Sequence, residues 1–221
     1  MKYYPVNLNV KNRKCLVVGG GEVATRKVKV LLESGATLTV ITLNATKHLY
    51  KLENDGLLTL KLRLYKASDL NGMFLVFGAT NDKKLNRQLF VDASKSNLLC
   101  NIADCPDQCN FILPSIVNRG DLSIAISTSG KSPALAKKIR KDLEKKFGLE
   151  YAEFLEIMGL IRRKLISSNC KSEIRKQIFT QIVQSDIIEM INQNKKAEID
   201  SLLSTILGKK MAFEILIKMN K

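Results

Sequence analysis

The chain has 221 residues, with 36 Lys and Arg against 21 Asp and Glu, and because this excess is spread over both halves and Trp is absent, we expect no nucleic-acid partner. The 45% hydrophobic content is typical of a folded protein. No apolar run approaches the ~18 residues that span a bilayer, so we expect no membrane partner. The start MKYYPVNLNV lacks the apolar stretch of a secretion signal, so we expect a cytoplasmic protein. A single histidine excludes a histidine-based catalytic triad and a multi-histidine metal site, while five cysteines indicate thiols rather than disulfides.

A glycine-rich segment at 14–40, KCLVVGGGEVATRKVKVLLESGATLTV, has the order strand, turn, helix, strand. Its first apolar run is typical of a strand buried on both faces, and its helix is predicted from about Glu22 to Ser34, ended by Gly35. Small residues occupy the three positions of the G-x-G-x-x-G/A pattern, namely Gly19, Gly21 and Ala24. The first allows the tight turn, the second lets backbone approach phosphate oxygens, and the third lets the helix pack on the strand. The segment predicts a dinucleotide-binding βαβ unit, with a plain glycine connector as the alternative.

One expected residue is missing after the second strand. The carboxylate that binds ribose hydroxyls usually lies ~20 residues after the glycines, but 36–52 contains no Asp or Glu. Thr42 and Asn44, or backbone groups beside Leu43, are therefore predicted to take that role. With Lys47 nearby, these residues alone leave NADP open beside NAD.

Strands and helices continue to alternate up to residue 102. The patterns predict a helix near 46–55, an edge strand at 57–65 with period-two leucines, a buried strand at 73–79, an amphipathic helix to about Lys95 and a strand at 98–102. This order predicts an α/β protein with a doubly wound parallel sheet, whose ligands bind at the carboxyl ends of the strands. Thr80, Asn81 and the segment 101–104 are expected at that edge.

The pattern changes from Phe111 onward. Two strands joined by a turn at 118–121 are predicted, then a helix with Ser132 as N-cap and Gly148 at its end. The hydroxyls and amides of STSGKSP favour either an anion-binding turn or a simple helix cap, and both interpretations stay open. Apolar residues at helical spacing follow Leu149. We predict three parts, at 1–113, 114–148 and 149–221.

Three of the cysteines, Cys100, Cys105 and Cys109, cluster in the sequence. Their spacing is not that of a C-x-x-C pair, and the one histidine lies elsewhere. Buried or loop thiols are the expected interpretation, and a metal or redox role is the alternative. No metal-binding residue is predicted.

Four segments, VVGGGEVATRK, GATND, NIADCPDQCNFILPSIVNR and AISTSGKSPALAKKIR, resemble the precorrin-2 dehydrogenase family, which is the dehydrogenase and ferrochelatase module of siroheme synthases. They occur in order between about residues 3 and 148. The resemblance implies a Rossmann-like NAD-binding domain, a small α+β dimerisation segment that forms a homodimer, and a C-terminal helical domain. It also implies NAD-dependent oxidation of a tetrapyrrole, precorrin-2, to sirohydrochlorin, with insertion of ferrous iron in some members.

The same resemblance assigns roles to residues. It implies that Asp104 is the key polar group of the active site and that a catalytic hydroxyl lies at Thr128, where the family often has serine. From the residues alone, a loop aspartate that caps a turn is the alternative for Asp104. The predicted cofactor contacts lie in the glycine turn, in the first turn of the helix after it and at two strand ends. They are Gly19, Gly21, Glu22, Val23, Ala24, Thr42, Leu43, Asn44, Thr80 and Asn81. The eight carboxylates of precorrin-2 are expected to meet Ser115, Arg119, Ser129 and Lys131.

A non-catalytic alternative is an NAD-sensing regulatory module. Such a module predicts an acidic residue after the second strand and has no need for the segment 101–131. The chain instead has no Asp or Glu after the second strand, at 36–52, and two of the quoted family segments begin within 101–131.

Overall fold

The computed structural model describes residues 2–103 and 105–212. The chain divides into two compact units, one over 1–113 and one over 114–221. Within the described ranges, no helix is long and apolar enough to cross a membrane.

The first unit is built on a parallel sheet of five strands in the order β3-β2-β1-β4-β5. The strands are β1 (Lys14–Val18), β2 (Thr37–Thr42), β3 (Leu58–Leu62), β4 (Leu75–Gly78) and β5 (Leu99–Ile102). The helices between them are α1 (Glu22–Glu33), α2 (Lys47–Asn54) and α3 (Lys83–Lys95). This architecture confirms the predicted α/β fold. The strand order reverses between β1 and β4, which is where open sheets of this kind bind ligands.

Both faces of this sheet are covered. Successive side chains of β1 point to opposite faces, so that Val17 joins one apolar cluster and Leu16 the other. Val28 of α1 and Leu49 of α2 pack in the cluster of Val17, while Leu89 of α3 packs in that of Leu16. Helices therefore lie on both sides, as in a doubly wound sheet.

The strand β3 ends earlier than its leucine pattern predicts. It pairs only with β2, and the pairing ends where Thr42 meets Leu62. Leu62 is 53% exposed and Leu64 is 64% exposed, so the last two leucines of the alternating pattern face solvent. The strand is at the sheet edge, as expected, but the prediction of residues 57–65 was too long because β2 offers no partner beyond Thr42.

A pair of charged residues closes the loop after β3. Arg63 donates to the two carboxylate oxygens of Asp69 at 2.6 and 2.8 Å, and the N–H of Lys66 donates to the same carboxylate at 2.8 Å. Asp69 has 8% of its side chain exposed. The hydrogen bonds from Arg63 hold the pKa of Asp69 below its ordinary value of 3.8.

We expect Asp69→Asn to lower the midpoint of thermal unfolding by a few degrees at pH 7. Because the folded-state pKa of Asp69 is depressed, its stabilisation is present above the unfolded pKa and is lost as the pH falls through the folded pKa. Thermal melts of the variant and the parent from pH 7 downward should therefore converge below about pH 4. A constant difference across that range would contradict this role.

The second unit begins with an antiparallel hairpin of β6 (Ser115–Arg119) and β7 (Leu122–Ile126). Gly120, with φ of +60°, lies in the connecting turn. The helices that follow are α4 (Pro133–Lys146), α5 (Glu150–Ser167), α6 (Ser172–Gln184), α7 (Ile187–Asn192) and α8 (Lys196–Leu207). Helix α4 ends at Lys146, slightly before the predicted Gly148. Ile157, Ile161, Ile182 and Leu203 are fully buried in one cluster of this unit.

Candidate functional site

The first two glycines of the turn after β1 are required by their surroundings. Gly19 has a φ of +122°, which disfavours any other residue, and a Cβ there would collide with the carbonyl oxygen of Ala79. A Cβ at Gly20 would collide with the carbonyl oxygen of Asn44. The N–H of Gly19 also donates to the carbonyl of Ile41 at 2.9 Å. The turn is thus packed between the exits of β4 and β2.

Gly21 has a different environment, because a Cβ there would meet no described atom within 4 Å. It precedes α1 with a φ of −84°, and none of the described side chains caps that helix. The other two α-helices of the first unit, α2 and α3, are capped by Thr46 and Asp82. An uncapped helix N-terminus offers N–H groups and a positive dipole end to an anion. The space beside Gly21 and this terminus fit the pyrophosphate of a dinucleotide.

The first turn of α1 contains three further predicted contacts. Glu22 is exposed and Val23 is half-buried, whereas Ala24 is fully buried in the cluster that contains Val17. Ala24 therefore packs the helix on the sheet, which is why a small residue suits this position.

The exit of β2 is held close to the glycine turn. The Thr42 hydroxyl donates to the carbonyl of Asn44 at 2.7 Å, and the N–H of Thr46 donates to the carbonyl of Gly20 at 3.0 Å. Leu43 and Asn44 are exposed. Because the Thr42 proton is used inside the turn, a ribose here would meet mainly the Asn44 side chain and the exposed backbone.

The segment after β5 carries the predicted acid, Asp104, which lies outside the described residues. Asn101 is buried, and its Nδ2 donates to the carbonyl of Phe111 at 3.1 Å. Its Oδ1 accepts a bond from the Lys27 ammonium at 3.4 Å. That ammonium also lies 4.8 Å from the ring centroid of Phe77. Sequence reasoning missed Lys27, a cation from α1 held at the carboxyl ends of β4 and β5, because its position on the helix carries no distinguishing pattern.

The clustered cysteines are thiols in this structure. Burial raises the pKa of Cys100 to about 12, and burial also raises the pKa of Cys109. The Cys109 thiol lies 3.2 Å from the carbonyl oxygen of Cys105. In the part of the chain that the structure describes, no group of three or more His, Cys, Asp or Glu residues is arranged to hold a metal ion.

In the second unit, a tight turn at 128–131 precedes α4. Ser129 and Gly130 both have positive φ, of +54° and +81°, and the N–H of Lys131 donates to the carbonyl of Thr128 at 3.0 Å. The Thr128 hydroxyl accepts from the N–H of Ser132 at 3.2 Å, and its own proton has no acceptor among the residues that the structure describes. A serine at positive φ is a strained backbone that often marks a functional turn.

Two other residues predicted to bind substrate lie on the hairpin. Ser115 begins β6 and is half-buried. Arg119 donates to the carbonyls of Phe147 at 2.8 Å, Glu144 at 3.1 Å and Asn118 at 2.8 Å. Its guanidinium therefore satisfies carbonyls at the end of α4 with some of its five N–H groups, and its contact with substrate stays a prediction.

Comparisons with known proteins agree with this geometry. Residues 6–115 match a family model of NAD(P)-binding domains, and residues 119–146 match the model of the sirohaem biosynthesis protein central domain. A solved structure of SirC, a precorrin-2 dehydrogenase, aligns with a TM-score of 0.78 at 30% sequence identity, covering 92% of this chain and 98% of that chain.

The chain belongs to the precorrin-2 dehydrogenase family.

Longer relatives of this family are also similar to the chain. The siroheme synthase of Vesicomyosocius okutanii is 35% identical over 208 residues, which cover 92% of this chain and 45% of the relative. That of Pseudoalteromonas atlantica is 36% identical over 204 residues, covering 90% and 43%. The chain thus spans less than half the length of these curated relatives. The comparisons do not support the alternative of a non-catalytic NAD-sensing module.

Proposed function

We propose that this protein oxidises precorrin-2 to sirohydrochlorin with NAD as the oxidant. The observation that carries the proposal is the likeness to SirC, which extends over 98% of that precorrin-2 dehydrogenase. The open space beside Gly21, next to the uncapped N-terminus of α1, supports the same conclusion because it suits a dinucleotide.

The cofactor would lie across the carboxyl edge of the sheet. The first turn of α1, from Glu22 to Ala24, would bind the pyrophosphate, and Thr42, Leu43 and Asn44 would line the ribose. The cofactor would occupy the crevice between the exits of β1 and β4, and Thr80 and Asn81 would form the β4 side of that crevice. NAD rather than NADP is proposed because the turn 43–46 itself contains no Lys or Arg to hold a 2′-phosphate and the nearby Lys47 already belongs to α2. NAD bound here supplies the hydride acceptor.

Asp104 is proposed as the catalytic base. Oxidation removes a hydride from one carbon of the substrate, with its electron pair, and a proton from a neighbouring position. A carboxylate beside the ring accepts that proton. The Thr128 hydroxyl, which has no acceptor for its proton in the described part of the chain, is proposed to orient the substrate by donating a hydrogen bond.

The substrate is proposed to be recognised through its carboxylates. The Lys131 ammonium is exposed, and the hydroxyls of Ser115 and Ser129 are further donors for carboxylate oxygens. A net charge of +15 on the chain would attract such a polyanion over longer distances.

The longer relatives are siroheme synthases, which supports the proposal of a second activity, the insertion of ferrous iron to give siroheme. In that step iron is a substrate, and Asp104 would accept the pyrrole protons that the metal displaces. We further propose that the protein acts in the cytoplasm as a homodimer. The hairpin β6-β7 supports the dimer because it is an isolated two-stranded sheet on which Ile116 is 44% exposed.

One assay tests the proposed function. The purified protein is mixed with precorrin-2 and NAD, and the absorbance of the oxidised macrocycle is followed with time. We expect turnover with NAD, at least tenfold slower turnover with NADP, and a second spectral change after ferrous iron is added. An unchanged spectrum with either cofactor would overturn the proposal.

A further inference from the structure

Asn86 on α3 is one of three buried polar residues among those described, with 7% of its surface exposed. Both ends of its amide are bonded to a single residue. Its Oδ1 accepts from the Thr80 hydroxyl at 2.8 Å, and its Nδ2 donates to the Thr80 carbonyl at 2.9 Å. A buried amide satisfied at both ends in this way fixes the backbone of its partner, since breaking either bond would leave a buried polar group unpaired.

The residue at the end of β4 is closely surrounded. Gly78 is close to the Asn86 side chain: a Cβ at Gly78 would stand 3.4 Å from Asn86 Oδ1, and only 2.5 Å from Cδ1 of Ile102. The same Cβ would stand 3.1 Å from Cδ2 of Leu89 on α3, which is a tight contact, whereas its distance to Asn86 is an ordinary one. The small residue at Gly78 therefore lets Leu89 of α3 and Ile102 of β5 pack closely on the end of β4.

The turn held by Asn86 borders the dinucleotide crevice. The N–H of Ala79 donates to the carbonyl of Val18 at 2.8 Å, which joins the exits of β4 and β1. The carbonyl of Ala79 occupies the place that a side chain at Gly19 would need. The turn at 79–82 thus stands directly against the glycine turn, on the β4 side of the point where the strand order reverses.

The Thr80 hydroxyl is fully used within this arrangement. It donates its proton to Asn86 and accepts from the N–H of Asp82 at 3.2 Å. It therefore has no proton left for a cofactor, and Thr80 meets the crevice through its backbone. Asn81, which is exposed, follows at the tip of the turn.

We propose that Asn86 is a positioning residue for the cofactor: it holds the turn at 79–82 in the conformation that receives the nicotinamide half of the dinucleotide. This inference rests on the proposed function, because it requires NAD in the crevice. A turn fixed before binding spares the cofactor the cost of ordering it, so loss of the Asn86 amide should weaken binding and leave the chemical step unchanged.

The test measures NAD affinity by isothermal titration calorimetry, which does not depend on turnover. We expect Asn86→Leu and Thr80→Val each to raise the Kd for NAD about tenfold, while Thr80→Ser, which keeps the hydroxyl, stays within about twofold of the parent. Asn86→Leu and Thr80→Val both remove the hydrogen bond between the Thr80 hydroxyl and the Asn86 amide. The double variant should therefore have a Kd for NAD only slightly above that of the single variant with the higher Kd. For Asn86→Leu, the kcat at saturating NAD should stay within about twofold of the parent, so that the defect lies in the KM for NAD.

A matched control separates positioning from general destabilisation. Leu31→Val removes a buried methylene on α1, in the apolar cluster on the opposite face of the sheet from α3, and its NAD affinity should remain that of the parent. Parent-like affinity in both Asn86→Leu and Thr80→Val would overturn the inference, and so would an equal loss in Leu31→Val. If Asn86→Leu fails to fold, Thr80→Val decides, since it is nearly isosteric. An inactive parent that still shows these shifts in Kd would refute the precorrin-2 activity and leave this inference standing.

Discussion

We expect Asp104→Asn to lower the kcat for precorrin-2 oxidation by about 10²- to 10⁴-fold, the usual contribution of a general base. An asparagine has nearly the same shape but cannot accept the proton that leaves the substrate. The Kd for NAD should remain that of the parent, because the proposed contacts of the cofactor lie at the glycine turn and at the exits of β2 and β4. Initial rates at saturating NAD, followed by the absorbance of the oxidised macrocycle, measure the effect.

Asp107 provides the control for that substitution. It lies three residues further along, is exposed, and belongs to the short 3₁₀ helix Pro106–Gln108. Asp107→Asn removes the same charge from the same loop and should keep at least half of the parent rate. Equal losses in the two variants would indicate a general charge effect, and a fully active Asp104→Asn would remove Asp104 from the mechanism.

The parts of the fold that could be predicted from sequence are those set by local signals. The βαβ unit at 14–42 is one of these, because a buried strand, a glycine turn and an amphipathic helix each have a pattern within a few residues. The hairpin turn at Gly120 and the N-cap at Ser132 are similar. The length of β3 is different, since it depends on where its neighbour β2 ends, and a period-two pattern does not contain that information.

The functional site, like the fold, could be predicted from sequence only where a local motif marks it. The glycine turn has a motif, whereas the roles of other residues depend on distant partners. Arg119 is predicted to meet substrate, and its sequence position did not reveal that its guanidinium also bonds to carbonyls 25 and 28 residues away. Asn86 and Lys27 carry no motif, because their partners Thr80 and Asn101 are brought to them by the sheet. Polar side chains in the first two turns of a helix that begins at a strand exit are the signal that could have found them.

Among substitutions in the glycine turn, Gly21→Asp should have the largest effect on NAD affinity for the smallest effect on the free energy of unfolding. Gly21 is the N-cap of α1, its φ of −84° and ψ of −172° are ordinary for any residue, and a side chain there would enter open space. Aspartate is a preferred N-cap residue, so Gly21→Asp should leave the free energy of unfolding unchanged or raise it by a few tenths of a kcal/mol. Its carboxylate would also occupy the N–H groups proposed to bind the pyrophosphate and repel that anion. We expect NAD affinity to fall at least about 100-fold, which corresponds to roughly 2.7 kcal/mol.

Two neighbouring substitutions show why this result would be specific. Gly21→Asn caps the helix without a charge, so the difference in Kd between the Asn and Asp variants measures the electrostatic part of the loss. Gly19→Ala should do the reverse of Gly21→Asp and lower stability, because its φ of +122° and the carbonyl of Ala79 leave no place for a methyl group. Urea unfolding and calorimetric titration of the three variants give both quantities. Parent-like NAD binding by Gly21→Asp would show that the pyrophosphate does not lie at the N-terminus of α1, and the proposed orientation of the cofactor across β1 and β4 would then be wrong.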